Sequence, residues 1–207
     1  MGLYKGPSCK LCRREGIKLY LKSDKCDSPK CSIARRSYPP GMHGPLARIK
    51  LSEYGIRLRE KQKAKRFYYV SESQMRKYYE QANRMHGDTG EEFLQILESR
   101  LDNFVFRSGV VDTRMQARLM VRHGHFMVNK KKVDIPSYIL KINDVVTIKE
   151  KSLKKFETLL EKAKKKNIPS WVTSDFTGNS FTYTKVPTRD ELDVPVNEQF
   201  IVEFYSR

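Results

Sequence analysis

The sequence predicts an α+β fold. A loop-rich N-terminal knuckle and a helical domain precede a small unit of two helices on a β-hairpin, with strands toward the C-terminus. Three observations predict it. All four cysteines fall within the first 31 residues of a 207-residue chain. Apolar residues then recur at helical spacing as far as Gly124. Beyond Gly124 the period changes to two, the period of a strand.

The cysteines read Cys9-x2-Cys12 and Cys26-x4-Cys31. Two close pairs joined by a short loop have the spacing of a tetrahedral four-thiolate site. A pair of disulfides needs an oxidising compartment, and Met1 to Pro7 has no apolar segment of a secretory leader. The expectation is one structural zinc ion on Cys9, Cys12, Cys26 and Cys31. A four-iron iron–sulfur cluster accepts the same thiolates and stays open as the alternative. Gly, Pro and Ser punctuate residues 1–45, so the metal would supply most of their order. Within them, Tyr38-Pro39-Pro40-Gly41-Met42-His43-Gly44 turns and extends, because its prolines exclude a helix.

Charge points to a polyanion. There are 41 Lys and Arg against 24 Asp and Glu, a formal charge of +17. Residues 1–66 hold 18 basic and 5 acidic side chains, and the remainder is almost balanced. A cationic half on a near-neutral body implies a docking surface. No apolar run approaches the ~20 residues of a membrane span, and the basic segments lack the apolar face of a membrane-surface helix. Nucleic acid is therefore the expected partner, through Arg13, Arg14, Lys30, Arg35 and Arg36 around the cysteines.

A helix is expected near Ser52 to Arg66, with Leu51, Tyr54 and Leu58 as its apolar stripe. Arg57, Arg59, Lys61, Lys63, Lys65 and Arg66 crowd the rest, opposed only by Glu60, and read as phosphate contacts. Ser71-x-x-Gln74 is a capping box opening a helix that turns Met75, Tyr78, Tyr79 and Ala82 inward. Thr89-x-x-Glu92 caps the next, with Phe93, Ile96, Leu97 and Leu101 inward. Leu101 to Arg107 forms a short helix stopped by Gly109. Thr113-x-x-Gln116 opens another that ends at Gly124, with Met115, Leu119 and Met120 as its apolar side. Arg114, Arg118 and Arg122 recur every four residues and share one row.

His125 to Asn129 reads as a strand. Lys130, Lys131 and Lys132 make a basic turn, Val133 to Pro136 continues, and Val145 to Ile148 is a second strand. Lys151 to Lys166 is an amphipathic helix. Its closing lysine triplet suits the negative end of the macrodipole. Strands follow, including Phe181 to Val186, and residues 197–205 read as a helix. The domains are then a knuckle over 1–45, a helical domain over 46–97 joined by 190–207, a basic two-helix and β-hairpin domain over 98–160, and a helix end with β extension over 161–189.

No phosphate loop or nucleophile elbow occurs. His43, His86, His123 and His125 lack a carboxylate partner at a catalytic spacing, so no enzyme and no small-molecule substrate are expected. The acidic group Asp190, Glu191 and Asp193 reads as a solvated turn or a contact for a basic neighbour.

Several blocks, in one order, resemble the S-four family of bacterial small-ribosomal-subunit proteins, in its four-cysteine version. They are Gly6-Pro7-x-Cys9-x2-Cys12-Arg13-Arg14-Glu15-Gly16, Tyr38-Pro39-Pro40-Gly41-x-His43-Gly44 and Tyr54-x3-Leu58-Arg59-Glu60-Lys61-Gln62-Lys63. Further on come Leu97-Glu98-Ser99-Arg100-Leu101-Asp102-Asn103, Gln116-Ala117-Arg118-x3-Arg122-His123-Gly124-His125 with Val128-Asn129, and Asp134-x-Pro136-Ser137-Tyr138. Val194-Pro195-Val196-Asn197-Glu198-Gln199 with Glu203-Phe204-Tyr205-Ser206 closes the match.

The resemblance implies a cytoplasmic primary binder of small-subunit ribosomal RNA. Such a protein holds a multi-helix junction in the 5′ domain and nucleates assembly of the body. With ribosomal protein S-five it influences translational accuracy, and it lies near protein S-three and the mRNA entrance. The candidate RNA contacts then take in Tyr38, His43, Arg48, Gln116, His123, His125 and Asn129. Glu198, Gln199, Glu203 and Tyr205 are the candidate protein contacts. The alternatives are the RNA-binding module of an RNA-modifying enzyme, or a translational repressor. The first needs a catalytic domain for which this chain has no room.

Overall fold

The computed structural model describes Tyr4, residues 6–46 and residues 50–206. The chain forms two compact units, Met1–Phe93 with Val194–Arg207, and Leu94–Asp193.

In the first unit, helix α1 (Ser8–Glu15) ends on Gly16, whose φ of 73° is the left-handed cap that glycine supplies without a Cβ clash. A 3-10 turn (Ser23–Cys26) and helix α2 (Ser32–Arg35) complete the knuckle. Helix α3 (Glu53–Phe67) begins at Ser52, whose hydroxyl accepts from Gly55 N at 3.2 Å. Helix α4 (Glu72–Ala82) begins at Ser71, which accepts from Gln74 N at 3.4 Å. Its inward residues are the expected Met75, Tyr78, Tyr79 and Ala82. Helix α5 covers Thr89–Glu98. Its cap is Asp88 and not Thr89, since Asp88 Oδ1 accepts from Gly90 N at 2.8 Å.

The expected stripe of α3 is wrong. Leu51 and Tyr54 are exposed and Leu58 is half-buried, while Lys61, Ala64 and Phe67 face inward. The reason lies at the far end of the chain. There Asn197 Oδ1 accepts from Gln199 N at 3.0 Å and caps a helix over Glu198–Tyr205, which packs on α3 and α4. Tyr205 stacks on Tyr79 with centroids 4.9 Å apart, and Lys61 Nζ lies 4.7 Å from the Phe204 ring centre.

The second unit carries α6 (Leu101–Arg107), α7 (Arg114–Arg122), β1 (Phe126–Val128), β2 (Lys131–Lys132), β3 (Val145–Ile148), α8 (Leu153–Ala163), β4 (Val172–Asp175) and β5 (Ser180–Tyr183). By chain order the C-terminal helix over Glu198–Tyr205 is α9. The described residues form one five-stranded sheet ordered β2-β1-β3-β5-β4, antiparallel throughout. The strands after α8 thus complete the sheet that the hairpin starts, since β5 pairs with β3. Asn129 and Lys130, at φ 48° and 65°, make the two-residue turn between Val128 and Lys131; two left-handed residues match the strand twist there. Val133 to Pro136 lies outside the strands.

One apolar cluster fills the unit, with Phe104, Phe126, Val146, Phe156, Trp171, Phe181 and Tyr183 at its centre. Helix α7 turns Ala117 and Val121 into it, while Met115 and Leu119 are exposed and Met120 is half-buried. The expected apolar side was therefore displaced around the helix. Arg114 occupies one of the inward places, for a reason given below.

Candidate nucleic-acid interface

In the second unit the cations stand on buried acids. Glu98, Asp102 and Asn103 are all inside. The Glu98 carboxylate accepts two bonds from Arg107, Nε to Oε2 at 2.9 Å and Nη2 to Oε1 at 2.7 Å. It also accepts from the Asn103 amide. Asn103 Oδ1 in turn accepts from Arg114 Nε at 2.7 Å, and the Arg114 guanidinium lies 4.3 Å over the Phe106 ring. Asp102 takes Arg100 Nε at 3.0 Å and Nη2 at 2.6 Å, and Arg118 Nη1 at 3.1 Å. A buried carboxylate needs such partners.

The expected arginine row is corrected accordingly. Arg114 is buried, Arg118 is half-buried on Asp102, and Arg122 is exposed. Arg122 shares exposure with His123, Lys130 and Lys131. Asn129 is exposed too, but its side chain serves the turn: Nδ2 donates to Asp144 Oδ1 at 2.7 Å and Oδ1 accepts from Val145 N at 3.0 Å. Gln116 Oε1 accepts from Asp112 N at 3.2 Å. His125 Nδ1 lies 2.9 Å from Ser152 Oγ. Burial, then Lys155, His123 and Lys149, hold its pKa below the usual histidine value.

In the first unit the four cysteines line one pocket. All are free thiols, with Cys12, Cys26 and Cys31 buried and Cys9 half-buried. Cys26 Sγ accepts from Lys22 N at 3.3 Å. Burial, with neighbouring sulfurs acting in the same direction, pushes the Cys12 and Cys26 thiols up. Four soft donors lining one pocket suit zinc or an iron–sulfur cluster, which would bind them as thiolates. Among the described residues no group of three or more Cys, His, Asp or Glu is drawn into a ligand cluster.

Every cation expected on α3 meets a carboxylate. Arg57 pairs with Glu53 and Glu203, Lys61 and Lys65 with Glu72, and Lys63 with Glu60. Arg59 and Arg66 both reach Glu15, whose side chain is 1% exposed. The view that only Glu60 opposes them is thus corrected, and Lys61 is buried outright. Burial raises the Glu15 pKa despite Arg66 and Arg59. Burial opposes ionisation of Glu72 as well, but bonds from Lys61, Lys65 and Tyr205 win and depress its pKa.

Arg13 donates from Nε to Tyr38 O at 3.0 Å and from Nη2 to Pro39 O at 3.2 Å, over the Tyr38 ring. Arg14, Lys30, Arg35, Arg36 and His43 are exposed. Arg48 lies outside the described residues. Among the expected protein contacts, Gln199 is exposed and Glu198 half-buried, while Glu203 binds Arg57 and the Tyr205 hydroxyl donates to Glu72 at 3.0 Å. The sequence reading missed Glu15, Glu72, Glu98 and Asp102 as anchors. Glu98 ends α5 and Asp102 lies in the first turn of α6, and no local pattern marks either as buried.

The family described as ribosomal protein S4/S9 N-terminal domain matches residues 3–98, and the S4 domain family matches residues 99–146. The chain is 52% identical over 209 residues to small ribosomal subunit protein uS4A of Clostridium botulinum (strain ATCC 19397 / Type A), covering 100% of both chains. It is 52% identical to uS4 of Acetivibrio thermocellus and 49% identical to uS4 of Thermus thermophilus, again over 100% of both chains.

Proposed function

Because this chain belongs to the uS4 family of small ribosomal subunit proteins, we propose that it holds a multi-helix junction in the 5′ domain of small-subunit ribosomal RNA and nucleates assembly of the body there. The chain is a structural, RNA-binding protein of the cytoplasmic small ribosomal subunit and not an enzyme. Among the described residues no helix is long and apolar enough to cross a membrane.

The observation that carries the junction reading is the placement of exposed cations on rigid supports. Arg122, Lys130 and Lys131 are exposed on a helix and a tight turn. Lys30, Arg35, Arg36 and Arg14 are exposed around the cysteines. Structured RNA is read through shape and backbone, because side chains cannot enter the A-form major groove. Footprinting on deproteinised ribosomal RNA tests it. Protection should cluster where several helices meet, and protection confined to one helix would refute it.

The same reading gives Cys9, Cys12, Cys26 and Cys31 one structural zinc ion, or a four-iron cluster. The bound group would cross-link the loops of residues 9–31. It supports the RNA surface by holding its backbone, with no chemical step of its own. Elemental analysis should find one zinc, or about four irons, per chain. Contacts with ribosomal protein S-five through Gln199 and the outer edge of α9, and with protein S-three near the mRNA entrance, complete the proposal. Gln199→Lys should raise misreading without changing RNA affinity.

A further inference from the structure

We infer that a cleft in the first unit, between α1 and α3, seats a single unpaired RNA nucleotide whose base carries an amino group. This rests on the RNA-binding reading above and goes beyond it by naming what one part of the surface takes.

The cleft has three kinds of wall. Leu51 and Ile56, 45% and 39% exposed, leave two large aliphatic side chains open to it. Arg14 lines it as an exposed cation, and Lys63 lines it paired with Glu60, which lines it too. Glu15 lines it from within. Its Oε1 is taken by Arg59 at 3.3 Å and by Arg66. Its Oε2 is buried and has no hydrogen-bond partner. A buried acceptor without a donor is uncommon and costly, and here the residue that carries it lines the cleft.

The three walls together select the ligand. A bare phosphate would meet the cations but be repelled by the carboxylate. A peptide amine would satisfy Glu15 but find four neighbouring cations, Arg13, Arg14, Arg59 and Lys63, against it. An unstacked nucleotide satisfies all three. Its phosphate meets the exposed Arg14, its base lies on Leu51 and Ile56, and an amino group donates to Glu15 Oε2. Adenine, cytosine and guanine carry such a group, and uracil does not. Bases splayed out of loops and junctions are what proteins read on RNA by their hydrogen-bonding edges. A base held within a helix cannot enter.

The test uses the full chain bound to small-subunit ribosomal RNA, probed with base-specific reagents at single-nucleotide resolution. Ile56→Trp fills the cleft, and Leu51→Trp fills it from outside any helix should the first variant fail to fold. The expected result is that one unpaired A, C or G, protected by the natural chain, becomes reactive again in the filled variants. The rest of the footprint should persist, with affinity down roughly tenfold. An identical footprint in both folded variants, or protection of a uridine at this position, overturns the inference while leaving RNA binding intact. Absence of any footprint with the natural chain removes the RNA-binding reading itself and this inference with it.

Discussion

The two units fix most of their cations in different ways. In the second, arginines stand on acids sunk into an apolar core: Asp102 and Glu98 have side chains 4% and 0% exposed. In the first, Arg59 and Arg66 share the buried Glu15, but Arg57, Lys61 and Lys65 on α3 pair with acids near water, Glu72 at 38% and Glu203 at 48%. A guanidinium anchored on a buried acid has one position. A lysine paired in water exchanges its partner at little cost, because solvent screens the pair. The second unit should therefore present a rigid template to RNA, and the first an adjustable one.

The sharpest break of this comparison is Asp102→Ala. Removing it takes the Asp102 carboxylate from Arg100, 1% exposed, and from Arg118, and losing one partner of a buried pair costs about 3–5 kcal/mol. The chain's single tryptophan, Trp171, is fully buried in this unit, so its fluorescence during urea unfolding reads the loss directly. A change below about 1 kcal/mol would place Asp102 among the screened pairs.

Lys61→Ala asks the same of the first unit. Although Lys61 is buried, its partner Glu72 is partly exposed, so the expected cost is only about 1 kcal/mol. Far-ultraviolet circular dichroism during urea unfolding would show it. A loss as large as that of Asp102→Ala would erase the contrast.

Replacing Arg122, Lys130 and Lys131 together with Gln should leave urea stability within about 0.5 kcal/mol. The slope of log affinity for ribosomal RNA against log salt should fall by roughly 2–3. Arg114→Gln should do the reverse, losing stability with the slope unchanged. Equal slopes for the two variants would mean that the buried arginine touches phosphate.

Acid separates two carboxylates of the first unit. The pKa of Glu72 is depressed, so its contribution is complete above the unfolded value, about 4.3, and is lost as pH falls through the folded value. Glu15 is raised and works against folding at neutral pH, a penalty relieved as acid protonates it. Glu72→Gln should flatten the acid limb of the stability curve, and Glu15→Gln should steepen it. The smallest effect is expected from Arg76→Ala, whose pair with Glu80 is exposed at both ends: about 0.3–0.5 kcal/mol in the same unfolding assay.

Much of this was legible in the chain. Ser71 and Thr113 cap helices that start where their spacing said, because a cap is a bond between residues three apart, while Asp88 took the place expected of Thr89. Gly109 and Gly124 stop helices with left-handed backbone. The inward face of α4 followed from period alone. The cysteine spacing drew four thiols to one pocket within 23 residues of chain.

What failed shares one cause. The sequence saw six cations on α3 and one acid beside them, but Arg59 and Arg66 are held by Glu15 and Arg57 by Glu203, both distant in the chain, with Glu53 of α3 itself as a second partner of Arg57. The stripes of α3 and α7 were misplaced because a lysine and an arginine went inward, each onto a partner that local pattern cannot show. Composition and spacing by themselves determined the caps, the helical and strand periods, the cysteine group and the cationic character of the chain. Only tertiary structure decided which cations remain available to a polyanion. Local hydrogen bonds and periodicity are properties of neighbours along the chain, whereas the pairing of a charge depends on every residue that folding brings within a few ångströms of it.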